Sequence, residues 1–340
     1  MTVLDVKDLE VYYNSEDGTV QAVDGVSFSI EQGENFGIVG ESGCGKSTLA
    51  NAIIGTLPNN GYINGGEIHF KNKDLQQISE RERRDIRWEE ISLIPQSAMN
   101  ALDPVYTIRE QIIEAIQTHR SSIPIQEANA IVEDMFDLVG LDYERAEEYP
   151  HQFSGGMKQR AMIAMALSLD PTLVLADEPT TALDVIMQDQ ILKSIAQIQD
   201  QVKSSMVIIT HDVAVIAETC DRVAVMYAGE IVEQGPVEKI FEQPYHPYTI
   251  GLNNAFPNIR KSDQNLVSIP GSPPNLVDPS GGCRFADRCP LSSNKCVNET
   301  PPKEDVGAIQ AHCHHLDKID SKLRPVAADP ETWKTEGYNQ

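Results

Sequence analysis

The residues GESGCGKST at positions 40–48 constrain this 340-residue chain more than any other stretch. They follow the apolar residues 36–39 and precede residues 49–54, which have a helical pattern. The spacing G-x-x-x-x-G-K-S is that of a phosphate-binding loop, in which glycines let backbone N–H groups face phosphate oxygens. The helix that follows adds its positive N-terminal end. The stretch therefore predicts a nucleotide site on a strand–loop–helix unit.

The side chains of this loop have distinct expected roles. Lys46 is expected to reach the β- and γ-phosphates, and the Ser47 hydroxyl is expected to ligate Mg²⁺. Cys44, like Cys220, is also expected to be a small packing residue. The remaining loop residues predicted to contact the nucleotide, together with Cys44, are Gly40, Ser42, Gly43, Gly45 and Thr48.

A phosphate loop needs a carboxylate on a neighbouring strand to hold Mg²⁺ through water. The apolar residues 173–176 read as a buried strand, and Asp177 stands at its end. Glu178 follows at once, where a carboxylate can orient or deprotonate an attacking water. We therefore predict that Asp177 belongs to the metal site and that Glu178 is catalytic.

Apolar strands alternate with helical patterns along the first 240 residues. This alternation predicts a parallel sheet covered on both faces. Beyond residue 243 prolines break any long element, and four of the six cysteines lie between 283 and 313, so we place a domain boundary near 243. The predicted strands are 3–13, 20–30, 36–39, 91–96, 172–176, 206–210 and 222–227, and the predicted helices are 107–118, 125–139, 155–169 and 185–202.

The charge balance argues against one class of partner. The chain has 27 Lys and Arg against 51 Asp and Glu, a net charge of −24, which repels nucleic acid backbones. The excess of acid suggests adaptation to high internal salt, with an ordinary acidic cytosolic protein as the alternative. The first residues lack a signal-peptide pattern, and no apolar run approaches the ~20 residues that span a bilayer. We expect a soluble protein whose membrane role, if any, requires partners.

A second glycine cradle decides which nucleotide-binding class fits. Ser154, Gly155 and Gly156 stand at the start of the predicted helix 155–169, another anion-binding position. One ATP does not need two cradles in one chain, which favours two chains that each close the other's nucleotide. This arrangement resembles the ATP-binding cassette family, whose signature reads LSGGQ. Here it reads FSGGM, with Phe153 and Met157 as departures.

The resemblance implies roles for further residues. Tyr13, with Tyr12 as the alternative, would stack on adenine, and Gln96 would contact Mg²⁺ and sense a membrane partner. Asp184 would lie in the loop that crosses the dimer interface, and His211 would hold the γ-phosphate as a catalytic residue. The implied fold is α/β, a P-loop NTPase domain with a mixed sheet core, an antiparallel β subdomain and a helical subdomain. The implied reaction is ATP hydrolysis by in-line attack of water.

The chain also indicates which kind of cassette ATPase this is. It lacks the coiled coils of chromosome and repair ATPases, carries one cassette and has no fused membrane domain, which leaves a separate transporter subunit. Residues 243–249, 269–276 and 283–290 resemble the C-terminal region of oligopeptide, dipeptide and nickel importers. We therefore predict an ATPase domain at 1–243 and a small irregular cysteine-containing domain at 244–340.

This resemblance implies a set of partners and a location. A second ATPase, identical or different, would complete the dimer, and permease subunits would bind Gln96 and the helical segment 97–140. An extracellular solute-binding protein would act through the complex, at the cytoplasmic face of the membrane. An importer of nickel or sugar, or a soluble cassette ATPase acting on nucleic acid, is the alternative.

Four cysteines in the tail have the spacing C-x5-C-x6-C-x16-C. In a reducing compartment they are not expected to form disulfides, and four thiolates suit an iron–sulfur cluster or zinc. The resemblance implies a [4Fe–4S] cluster; zinc with help from His312, His314 or His315, or free buried thiols, are the alternatives. The predicted ligands are Cys283, Cys289, Cys296 and Cys313.

Overall fold

The computed structural model describes residues 1–96, 101–179, 204–255, 267–279 and 281–334. The predicted helix 185–202 and the predicted interface residue Asp184 lie outside these ranges. The strands within them, in chain order, are β1 (Thr2–Ser15), β2 (Gly18–Glu31), β3 (Asn35–Val39), β4 (Gly61–Phe70), β5 (Lys73–Asp74), β6 (Ile91–Ile94), β7 (Leu173–Asp177), β8 (Ser205–Thr210), β9 (Arg222–Tyr227), β10 (Glu230–Pro236), β11 (Lys303–Val306) and β12 (Ile309–His312).

Helices flank these strands. Short 3-10 or π turns also occur at Tyr143–Glu147, Pro150–Gln152, Ala286–Arg288, Ile319–Leu323 and Pro330–Trp333. The α-helices of the described ranges are α1 (Lys46–Ile54), α2 (Glu80–Ile86), α3 (Ile108–His119), α4 (Ile125–Leu138), α5 (Gly155–Leu167), α6 (Val213–Thr219), α7 (Val237–Glu242), α8 (Pro247–Ala255), α9 (Asn294–Asn298) and α10 (Leu316–Lys318).

Two sheets organise the described strands. The larger has the order β11-β12-β10-β9-β3-β8-β7-β6, and the smaller, β2-β1-β4-β5, is antiparallel throughout. In the larger sheet the strands from β9 to β6 are parallel neighbours, as the alternation of strands and helices predicts. Beyond β9 the sheet becomes mixed, as the resemblance implies, because a tight turn at 228–229 joins β9 to β10 and permits only antiparallel pairing.

Both faces of the larger sheet are buried. Successive residues of a strand point to opposite faces, and along β7 Leu173 and Leu175 join one apolar core while Val174 and Ala176 join the other. The first core lies between this sheet, α1 and the antiparallel sheet, and the second includes the helical region and the tail. Every residue of β7 and β8 is buried, and their central positions, 173–176 and 206–209, are all apolar because neither face of the sheet meets water.

Helices α3, α4 and α5 pack against one another and form the helical region. Helix α3 begins where the Thr107 side chain accepts from the Glu110 N–H and the Glu110 carboxylate accepts from the Thr107 N–H, a reciprocal cap. Its buried residues recur at helical spacing, so one face is apolar: Ile108, Ile112, Ile113 and Ile116.

The tail continues the larger sheet. Strand β12 pairs with β10 through Glu233 opposite Ala311, and β11 completes a hairpin at the sheet edge. Ile319, Leu323 and Trp333 from the tail are buried in the same core as the helical region. The division at residue 243 stays a prediction, and the sheet and core run across it.

Candidate nucleotide site

The loop between β3 and α1 is built so that only glycine fits at two of its positions. A Cβ on Gly40 would lie 2.1 Å from the backbone oxygen of Met226. A Cβ on Gly45, which has a φ of +104°, would lie 2.0 Å from the backbone oxygen of Ala22. Strand β9 and strand β2 therefore confine the loop from two sides, and its backbone can approach a ligand closely.

The side chains of the loop are already directed into it. The Lys46 ammonium is buried and donates to the carbonyl oxygens of Gly40, at 2.8 Å, and Glu41, at 3.0 Å. Cys44 is buried beside it, and burial raises the pKa of this thiol, so it is a neutral packing residue as well as a loop residue. The cation is thus held where phosphate oxygens would enter the loop.

Tyr13 lies beside the loop. Its hydroxyl donates to the Thr48 hydroxyl at 3.1 Å, whereas the Tyr12 hydroxyl donates to Asp24 at 3.2 Å. This contact favours Tyr13 over Tyr12 as the aromatic residue nearest the nucleotide. Its stacking on adenine stays a prediction.

Asp177 is suited to hold a metal ion near the loop. It ends β7, is 6% exposed, and its Oδ1 has no hydrogen-bond partner among the described residues. Burial raises the pKa of its carboxyl, while a hydrogen bond with the Ser47 side chain and the charge of Lys46 oppose this change. A buried carboxylate oxygen beside a hydroxyl is a donor set that Mg²⁺ accepts, so these residues fit the predicted site.

Two predicted site residues, Gln96 and His211, contact a third, Glu178. Its Oε2 accepts from the Gln96 side-chain amide at 2.7 Å, and its Oε1 lies 3.3 Å from Nδ1 of His211. Gln96 lies in a turn after β6. The prediction of a strand over 91–96 was too long, because the observed strand ends at Ile94. Glu178 has a φ of +48°, a conformation that residues other than glycine adopt infrequently.

The predicted signature lies in the helical region. Ser154 caps α5, where its hydroxyl accepts from the Met157 N–H at 3.4 Å, and Gly155 is the first helical residue. The two departures from the usual signature share a partner, since the Arg145 guanidinium lies 5.9 Å from the centre of the Phe153 ring and 3.6 Å from the Met157 sulfur. Helix α5 packs on α3, α4 and β6, so Ser154, Gly155 and Gly156 belong to a different unit from the phosphate loop.

The four tail cysteines gather in one place as free thiols. Burial, together with the neighbouring tail thiols, raises the pKa of Cys283 to about 12 and of Cys313 to about 11. The Cys283 N–H donates to the Cys296 carbonyl oxygen at 2.7 Å, and the His315 N–H donates to the Cys313 sulfur at 3.4 Å. Burial also raises the pKa of Cys289.

The described residues do not arrange these thiols as a metal site. Among them, no group of three or more His, Cys, Asp or Glu side chains has the geometry to hold a metal ion. His314 and His315 lie 2.9 Å from the Glu299 carbonyl oxygen and the Ser293 hydroxyl, and burial lowers the pKa of His312 to about 4. The predicted cluster, and the zinc alternative, therefore lack support from the geometry.

Comparisons with known proteins identify the family of this chain. The family described as ABC transporter matches residues 23–181, and the C-terminal region of oligopeptide and dipeptide transporters matches residues 232–296. The dipeptide transport ATP-binding protein DppD of Bacillus subtilis (strain 168) is 49% identical over 302 residues, 88% of this chain and 90% of that protein. The chain belongs to the ABC transporter ATP-binding proteins. It therefore carries the α/β ATPase fold of that family and hydrolyses ATP.

Another relative and two solved structures are also ABC transporter proteins. The oligopeptide transport ATP-binding protein OppD of Escherichia coli (strain K12) is 43% identical over 307 residues, 89% of this chain and 90% of that protein. A dimeric post-hydrolysis structure of the cassette MJ0796 with ADP and Pi superposes with a TM-score of 0.63 at 27% identity, covering 69% of this chain and 98% of that one. CbiO1 from Clostridium perfringens gives 0.62 at 28% identity, covering 71% and 91%.

Two further findings concern predictions made from the sequence. Within the described ranges, no helix has the length and apolar character needed to cross a bilayer. Sequence reasoning missed the contacts of the tail with the phosphate loop, through Tyr248 and Arg288. The adjacent sequence RFADRC carried a signal only in its charge, and nothing in its spacing points to a loop 247 residues away.

Proposed function

We propose that this chain is the ATP-hydrolysing subunit of an importer of dipeptides or oligopeptides. The observation that carries the proposal is the convergence of Gln96 and His211 on Glu178, next to a phosphate loop, in a chain whose tail matches peptide transporters. Relatives named for dipeptide and oligopeptide transport cover most of the chain. They favour peptides over nickel or sugar as the transported solute, and over nucleic acid as the target.

The residues of the site divide the work of hydrolysis. The loop amides and Lys46 would bind the β- and γ-phosphates, and Ser47 with Asp177 would hold Mg²⁺. The metal, when bound, would supply positive charge that offsets the charge of the phosphate oxygens. Glu178 orients and deprotonates the attacking water, and Gln96 holds one oxygen of that carboxylate.

His211 acts at the edge of the same site. Its side chain is 63% exposed while that of Glu178 is 13% exposed, so the ring is accessible to a ligand that enters the site. A neutral imidazole carries one N–H, so His211 can donate either from Nδ1 to Glu178 or from Nε2 to phosphate, and only the protonated ring donates to both. His211 would thereby connect Glu178, the base, with the γ-phosphate that the water attacks.

The complete site requires a second ATPase chain. Ser154, Gly155 and Gly156 present a capped helix N-terminus that would bind the γ-phosphate of nucleotide held by a partner, and Asp184 would lie at the interface. The partner is a second copy or a similar subunit. Permease subunits would contact Gln96 and the segment 97–140, which puts the assembly at the cytoplasmic face of the membrane with a solute-binding protein outside.

The transport assignment is tested by purifying the native protein from membranes and reconstituting the complex in proteoliposomes. We expect co-purification of permease subunits and a binding protein, and ATP hydrolysis that rises when a dipeptide or an oligopeptide is supplied with the binding protein. Stimulation by Ni²⁺ or a sugar instead would reassign the solute. Recovery with nucleic acid, without membrane subunits, would refute the transporter reading.

For the tail cysteines we propose a structural [4Fe–4S] cluster, with zinc as the alternative. The support is the spacing of Cys283, Cys289, Cys296 and Cys313 and the match of residues 232–296 to the C-terminal region of peptide transporters, and not the arrangement of the thiols in this structure. About four irons and sulfides per chain after purification without oxygen would support the cluster, whereas one zinc would support the alternative. If the purified protein contains neither iron nor zinc, the cysteines are free thiols. Cys220→Ser is the control for Cys289→Ser, because Cys220 lies outside the group.

A further inference from the structure

Residues 283–289 of the tail lie against the phosphate loop. Arg288 pairs with Glu41, the second residue of that loop, with Nη1 at 2.9 Å from Oε2. The same guanidinium donates to the Tyr227 hydroxyl at 3.2 Å and to the carbonyl oxygens of Pro270 and Ile269 at 3.0 and 3.2 Å. Four acceptors from three segments therefore hold the guanidinium in one orientation.

The tail also holds the backbone of Glu41. The Glu41 N–H donates to the Tyr248 hydroxyl at 3.1 Å, and the Tyr248 ring packs on Tyr227 and Phe285 with centroid distances of 4.6 and 5.5 Å. The Glu41 carbonyl oxygen in turn accepts from the Lys46 ammonium at 3.0 Å. A continuous set of contacts thus runs from Arg288, through Glu41, to the lysine that meets the phosphates.

A second arginine of the segment reaches the other side of the loop indirectly. Arg284 pairs with Asp24 and Glu230 and donates to the Ala228 carbonyl oxygen. The next residue, Gly229, donates its N–H to the Cys44 carbonyl oxygen at 3.0 Å. The two arginines therefore brace the phosphate loop from the tail at two points.

The contact with Glu41 also has an electrostatic consequence. A carboxylate in a phosphate loop repels the polyphosphate that the loop must bind, and the repulsion is stronger where water is partly excluded. Arg288 is buried, with its side chain 8% exposed, and offsets that charge through a charge-assisted hydrogen bond. It also keeps the loop ordered before nucleotide arrives, so less conformational entropy is lost on binding.

We propose that Arg288 is a positioning residue for ATP binding, through which the cysteine-containing tail sets the conformation and charge of the phosphate loop. The inference requires nucleotide at this loop and does not depend on the transported solute. Arg288 touches no reacting atom. Its effect is on the affinity of the loop for nucleotide and not on the chemical step.

The test uses the full-length protein and a fluorescent ATP analogue, with ATP hydrolysis measured in parallel. Arg288→Ala is expected to raise the Kd of the analogue and the KM for ATP about tenfold, in the range typical of coupling between sites, with kcat changed by less than about twofold. Arg324→Ala is the matched control, because this tail arginine pairs with Asp320 at 2.7 Å and contacts the Pro244 carbonyl oxygen, away from the loop. It should leave Kd and KM at the wild-type values.

A second variant separates loop positioning from damage to the tail. If Arg288 acts by neutralising Glu41, then Glu41→Gln combined with Arg288→Ala should recover most of the lost affinity. The inference is overturned if Arg288→Ala binds nucleotide as tightly as wild type, or if the double variant stays as weak as the single variant. A wild-type protein that bound no ATP would overturn the inference together with the nucleotide site itself.

Discussion

Replacing Glu178 with glutamine is expected to separate ATP binding from ATP hydrolysis. The two side chains have the same shape, so the contact of Oε2 with the Gln96 amide at 2.7 Å can persist on the amide oxygen. What glutamine lacks is the ability to accept a proton from water. Because the carboxylate belongs to the strand end beyond Asp177 and not to the phosphate loop, the contacts that hold Lys46 in the loop stay intact.

The magnitude follows from the role assigned to the carboxylate. Loss of a positioned general base lowers turnover by roughly 10²- to 10⁴-fold, which corresponds to about 3–5 kcal/mol in the barrier. Nucleotide affinity should change by less than the ~1.5–3 kcal/mol of one hydrogen bond to a charged group, because the change weakens the contact with His211 and leaves the phosphate loop unaltered.

The assay combines steady-state phosphate release with titration of a fluorescent ATP analogue. Gln96→Ala serves as the comparison, because it removes a contact to Oε2 but leaves the carboxylate in place, and its turnover should fall less than that of Glu178→Gln. Turnover of Glu178→Gln within about threefold of wild type, with binding retained, would exclude this residue as the general base.

Three further predictions concern the loop, the junction and the tail. Gly40→Ala places a Cβ 2.1 Å from the Met226 backbone oxygen, so it should lower the free energy of unfolding by about 1–3 kcal/mol. It should also weaken nucleotide binding, measured by the same titration. Gly281→Ala is the control, because a Cβ there meets open space and should change neither quantity. Burial lowers the pKa of His246 to about 3 from 6.5, so the unfolded state binds the extra proton and His246 should cost about 2–3 kcal/mol of stability between about pH 6.5 and pH 4.5. Glu230 and Glu233, whose pKa values burial raises to about 7, change stability in the opposite direction over this range, so the His246 contribution is the difference between wild type and His246→Asn in urea unfolding at both pH values. Trp333→Ala removes a ring that is 1% exposed and should cost about 3–5 kcal/mol, measured by chemical denaturation; a loss below about 1 kcal/mol would show that the end of the tail is not part of the core.

Local patterns predicted the elements well where one signal dominated. The strands around the phosphate loop and at 222–227 were located closely, because apolar runs bounded by turn residues are short-range signals. The prediction of strands omitted β10, which a tight turn joins to β9 in antiparallel pairing, although the resemblance implied a mixed sheet. It also extended β6 to residue 96, although the strand ends at Ile94 and Gln96 lies in a turn.

The candidate site was predictable to the extent that each residue sits in a contiguous motif. Lys46 and Ser47 follow from the glycine spacing, and Asp177 with Glu178 follows from an acidic pair at the end of an apolar strand. Gln96 and His211 were assigned by resemblance alone. The spacing of the tail cysteines suggested a metal centre, which the geometry of the described residues does not support.

The sequence by itself determined that this chain binds a nucleotide and that a helix N-terminus with Ser154 offers a second anion cradle, because both depend on a few consecutive residues. Only the tertiary structure decided which distant side chains meet. Gln96 reaches Glu178 across 82 residues, and Arg288 reaches Glu41 across 247. Such contacts depend on strand order and on the burial of both sheet faces. Many residues along the chain determine these two properties together, so no short sequence pattern predicts them.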